Sequence, residues 1–140
     1  MLTDILQRFE AIEESYEFML AYAAQGLATD QGSQKGRQLR EFLSRAAKAL
    51  SGLAGSCANA IRDENLRRSK LVEFLVVLDR DARDSMVAIE LVLEQPAISS
   101  QLVDNLNASM HVRALLADIF LLGEIFRSQA VVRETASMVS

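Results

Sequence analysis

The chain has no tryptophan, one cysteine, one histidine, one proline and only six glycines, and each scarcity removes a class of protein. Cys57 has no partner for an internal disulfide. With His111 as the single histidine, it cannot complete a zinc site of the usual four-ligand kind. A reducing compartment suits that composition. Few glycines and prolines, and few β-branched or aromatic runs between them, argue against a sheet of turn-linked strands. Gly32 and Gly36 share a loop, but no Gly-Lys-Ser/Thr ending follows them, so no phosphate loop is expected. Long apolar runs are missing too. Asp118 and Glu124 interrupt the best candidate before the roughly 18–20 residues that a membrane span needs. The start, Met1-Leu2-Thr3-Asp4, has neither a basic region nor an apolar stretch of the kind that directs export. A cytoplasmic protein without a membrane segment is the expectation.

Positive charge is also in short supply. The net charge is −4 and the pI about 5.0. Arg37, Arg40, Arg45 and Lys48 form one basic segment, but its faces are not exclusively basic, so nucleic-acid binding is not expected.

What remains is helix-forming material. Half of the residues are hydrophobic, and Ala, Leu, Glu, Arg, Gln and Met dominate, which favours helix almost throughout. The length suits one domain. Apolar spacings of three and four mark helices at about 3–25, 37–63, 69–94 and 99–127. The tail 128–140 reads as a helical extension or a frayed end. The first stripe is Leu2, Ile5, Phe9, Ile12, Tyr16, Met19 and Ala23. The second is Leu39, Leu43, Ala46, Leu50, Leu53, Cys57 and Ala60, with a small-residue middle at Gly52, Ala54, Gly55 and Ser56. The third is Leu71, Leu75, Leu78, Ala82, Ser85, Ile89 and Val92, with Ser69 as N-cap and Pro96 beyond its end. The stretch 28–36 is polar and holds two glycines, so it is expected to be mobile. Short second and third connections favour antiparallel neighbours. The expected fold is therefore all-α, an up-down-up-down four-helix bundle over 1–127, dimeric through the C-terminal helix.

The last helix carries the functional expectation. It has two apolar stripes where a bundle helix needs one: Val103, Leu106, Met110, Ala117 and Phe120 on one side, and Ala108, Val112, Leu115, Ile119, Leu122 and Phe126 on the other. The second stripe, at Val112, Leu115, Ile119, Leu122 and Phe126, is taken as a protein interface. Arg113 and Glu124 fall on the first stripe by heptad count, which makes them candidate buried charges: either they are paired and set register, or the helix rotates away from them and Arg113 snorkels to the bundle surface, the commoner outcome. No catalytic, cofactor or metal residues are assigned. The carboxylates of the first helix, Glu10, Glu13, Glu14 and Glu17, lack the Glu-x-x-His partners of a di-metal bundle. His111 lacks the neighbours of a phosphotransfer histidine. The run Asp79-Arg80-Asp81-Ala82-Arg83-Asp84 reads as a solvated face with internal i,i+4 pairs. Phe18 and Tyr22 lie off the main stripe, as a contact surface or as cover for the bundle end.

These residues point to a non-enzymatic interaction protein, a scaffold, adaptor or regulatory binder, that forms a homodimer and holds a protein partner. Two alternatives use the same surplus of apolar surface. One is a small molecule or metal in a pocket between helices. The other is a chaperone that holds an amphipathic client helix.

Overall fold

The computed structural model describes residues 2–61, 64–67 and 69–139, with the side chains of 64, 65, 130–137 and 139 outside the description. Every regular element among the described residues is a helix. They are α1 (Leu2–Ala23), α2 (Gln34–Leu50), α3 (Leu53–Ala60), the single turn α4 (Glu64–Arg67), α5 (Lys70–Leu93), α6 (Ser100–Ala108) and α7 (Met110–Val139). The expected end of the second helix at Asp63 lies outside the described residues, as does Ser140.

Local chemistry sets the boundaries. The hydroxyls of Ser33, Ser69 and Ser99 accept from the backbone amides of Gly36, Leu71 and Leu102, the N-cap arrangement that satisfies an orphan donor. The expected helix over 37–63 is broken in two. The chain turns out at Ser51, and Gly52 takes a φ of +63°, a left-handed conformation that glycine adopts without a Cβ penalty. Arg8 reaches across from α1 and donates to the Ala49 and Ser51 carbonyls that the break leaves open.

The expected helix over 99–127 is also broken, at Ser109, whose backbone is extended. Its hydroxyl accepts from the Val112 amide and starts a fresh helix. Ser85 on α5 donates to the His111 carbonyl at 2.8 Å and ties this second start to α5. Beyond it the backbone stays helical to Val139, so the tail extends α7.

Helix α1 packs against α2, α3, α6 and α7, and α5 against α2, α3, α4, α6 and α7. Phe9 of α1 stacks on Phe126 of α7, with ring centroids 6.1 Å apart. One continuous core runs between the helices and includes Phe9, Met19, Leu39, Leu43, Leu78, Ile119 and Phe126. On α1 the stripe departs slightly from strict heptads. Ser15 and Tyr22 are buried, whereas Tyr16 and Ala23 are only partly covered. The Ser15 hydroxyl meets its need by donating to the Ala11 carbonyl.

The loop expected to be mobile is tied down instead. Asp30 is buried, and its carboxylate accepts from the Ile98 amide at 2.7 Å and from Arg40 Nε at 2.5 Å. Arg40 also donates to the carbonyls of Leu93 and Gln95, at 3.1 and 2.9 Å. The Tyr22 hydroxyl donates to the Ile98 carbonyl, and Ser100 bridges Tyr22 and Leu27. Tyr22 thus covers this end of the molecule and is no contact residue. Gly36 must be glycine here, because a Cβ would run into the Asp30 backbone. A polar loop was legible; the polar partners waiting for it on the α5–α6 connection were not.

Candidate functional site

The helix α7 presents a different face from the one expected. Val112, Leu115, Ile119, Leu122 and Phe126, the expected interface, all lie in the chain's own core, none more than 4 % exposed. The stripe expected to face the core is the exposed one, with Met110 at 81 % and Phe120 at 53 %. The break at Ser109 explains the exchange. Val103 and Leu106 on α6 are buried as expected, but the extended residue between α6 and α7 resets the helical phase. A stripe counted straight through the break lands on the wrong side.

The same reset displaces the two charges. Arg113 and Glu124, the candidate buried charges, are both exposed, so neither forms a buried pair. Glu124 meets Arg127 one turn on, at 3.6 Å in solvent.

Among the described residues of α7, the buried ionisable side chain is Asp118, at 6 % exposure. It lies three residues after Leu115 and four before Leu122, squarely among core positions. Across the seam on α5 stands the half-buried Asp81. Asp118 Oδ2 is fully buried and has no hydrogen-bond partner. Burial, with a hydrogen bond to Asp81 and the Asp81 charge adding to it, pushes the Asp118 carboxyl up to about 8. Asp118 therefore holds its proton at neutral pH. Among the described residues neither carboxylate is paired with a cation.

On α5, Lys70, Phe74, Val77 and Asp81 share one side at spacings of four, three and four. Phe74 lines one groove with Leu121 and Ile125 of α7, and Val77, three residues on along α5, extends this apolar surface toward Asp81. Val77, Leu121 and Ile125 are 45, 58 and 41 % exposed. At one end the surface dips into a groove of about 330 Å³ lined by Leu66, Leu71, Phe74, Leu121 and Ile125. The groove is almost wholly apolar, with Lys70 at its rim.

Cys57 is fully buried, as a small hydrophobe would be, and burial pushes its thiol up to about 12. His111 is exposed. Asp79 and Arg83 form the expected i,i+4 pair at 2.9 Å. Among the described residues no three His, Cys, Asp or Glu side chains gather as a metal cluster. No helix among them is long and apolar enough to cross a membrane.

Sequence reasoning missed Asp81 and Asp118 as a pair. The signal for Asp118 was its placement between Leu115 and Leu122; the signal for Asp81 existed only in three dimensions. Comparison with known protein families, with curated proteins and with solved structures gives no match to this chain.

Proposed function

We propose that this chain is a non-enzymatic interaction protein that forms a homodimer through the α5–α7 face. The observation that carries this reading is the apolar surface of Val77, Leu121 and Ile125 beside the Phe74 groove. Large apolar side chains clustered next to a concavity are the usual mark of a contact surface. The reading keeps the expected class of function but moves the contact to the other side of α7.

The underlying architecture in this proposal is an up-down-up-down four-helix bundle, with α2–α3 and α6–α7 each acting as one bent helix. Its support comes from pairs of residues that antiparallel neighbours bring together: Phe18 with Phe42, Arg40 with Leu93, Ser85 with His111, and Phe9 with Phe126. A reducing cytoplasm fits the single buried thiol.

The test is native mass spectrometry across a concentration series on the wild type and on Leu121→Glu with Ile125→Glu. The expected result is a dimer in the wild type and a folded monomer in the double variant. A wild type that stays monomeric throughout the series sinks the reading.

A further inference from the structure

Resting on that self-association, we infer that two copies pair α5 against α5 in antiparallel fashion, crossing between Phe74 and Val77, so that Lys70 of each copy meets Asp81 of the other. The exposed side of α5 is its own complement. The spacings Lys70–Phe74–Val77–Asp81 read the same in both directions, while the charges at the two ends are opposite. Turning a second copy end for end places Phe74 over Val77 twice and Lys70 over Asp81 twice. This is the isologous geometry of a two-fold dimer, in which one patch recognises itself. A parallel pairing would set Lys70 on Lys70 and Asp81 on Asp81, so charge alone selects the antiparallel arrangement.

Each end of the patch is prepared for its partner. Asp81 lies beside the buried Asp118, in a seam that supplies neither with a cation among the described residues. Lys70 is 93 % exposed, and its pair with Glu73 on its own helix is a solvent contact of little worth. Its ammonium is free to swing to a half-buried carboxylate. The Leu121 and Ile125 side chains flank the crossing and close its apolar centre against water.

The experiment begins with the unmodified chain. Equal amounts of normal and 15N-labelled protein are mixed and treated with a carbodiimide, which joins an amine directly to a carboxylate. Peptide mass spectrometry is expected to find Lys70 joined to Asp81 across light and heavy copies. Charge exchange then checks the register. Lys70→Glu alone and Asp81→Lys alone are each expected to weaken dimerisation about tenfold, through loss of attraction and new repulsion at both contacts. Mixed one to one, the two variants are expected to recover a heterodimer, because each unlike pair then carries opposite charges. Lys70 is solvated, so its variant folds even if Asp81→Lys does not. A dimer that lacks the cross-link and is indifferent to Lys70→Glu overturns this register and leaves self-association standing. A wild type that is monomeric at every concentration overturns both and leaves the face to an unlike partner.

Discussion

Replacing Asp118 with Asn should stabilise the protein, and by more at pH 8 than at pH 6. The carboxyl is held up to about 8 in the folded chain, first by burial and then by Asp81, whereas in the unfolded chain it returns to about 3.9. The sign follows from proton counting. Between those two values the folded state holds a proton that the unfolded state has released, so stability falls as pH rises. Each pH unit across one proton is worth about 1.4 kcal/mol. Near pH 8 the folded group is half ionised, so the wild type loses about 2 kcal/mol between pH 6 and pH 8. Asparagine keeps the shape, removes the titration, and its amide can donate to Asp81. The variant should therefore show almost none of that loss. Thermal or urea unfolding followed by circular dichroism at pH 6, 7 and 8 reads the effect, which corresponds to roughly 4–8 °C in Tm. Asp81→Asn serves as the partial control. It removes the neighbouring charge but leaves burial, the larger cause, so it should flatten the slope by less. Equal slopes in wild type and Asp118→Asn over this range would refute the reasoning, because they would mean that Asp118 ionises in the fold as easily as in water.

Other substitutions test the core and the loop lock. Leu122→Glu should unfold the chain, since Leu122 is 1 % exposed, while Leu121→Glu next to it should leave the far-ultraviolet spectrum unchanged; matching behaviour would mean that the phase of α7 is misplaced. Arg40→Met removes the cation that accompanies the buried Asp30 and should cost about 3 kcal/mol in urea unfolding, whereas a loss below about 0.5 kcal/mol would mean that water replaces Arg40 freely. Asp30 itself is pushed up by burial but drawn further down by Arg40 and the Ile98 amide. Its contribution is therefore present above the ordinary carboxylate range and disappears as pH falls through its lowered folded value. Cys57 should stay silent towards a thiol-disulfide reagent at pH 8 in the native state and react promptly in guanidinium; fast native labelling would contradict its burial.

How much of this was legible depends on what continued along the chain and what did not. The third helix was read almost to the residue, because Ser69 caps it, Pro96 forbids its extension and its stripe never changes phase. All seven of its stripe residues, from Leu71 to Val92, are buried. The first helix was nearly as clear. The second and fourth were read as continuous, and each is broken by one residue that periodicity cannot weigh. Gly52 had been noticed, but a glycine inside a helix costs only about 1 kcal/mol against alanine, too little to separate tolerance from a break. Ser109 gave less warning still, since serine is acceptable in a helix and its capping role emerges only when Val112 donates to it.

The cost of these two oversights was unequal, and the reason is geometric. At Gly52 the stripe survives the break, with Leu50, Leu53 and Cys57 all buried, so the core residues were still correct. At Ser109 the stripe does not survive. One extended residue turns the following helix relative to the preceding one, and the two apolar stripes exchange roles on α7 from Met110 to Phe126. An apolar helix with two candidate stripes makes this exchange invisible in sequence, because both stripes satisfy the same pattern. The polar residues held the missing information. Arg113 and Glu124 stand on the first stripe, and burying both would leave two charges to be desolvated at several kcal/mol each; exposing that stripe costs only the hydration of Met110 and Phe120. Weighing charge against apolar surface would have chosen the observed face. It would also have shown Asp118 as an ionisable group that the chosen face must bury, and so marked the α5–α7 seam from sequence alone.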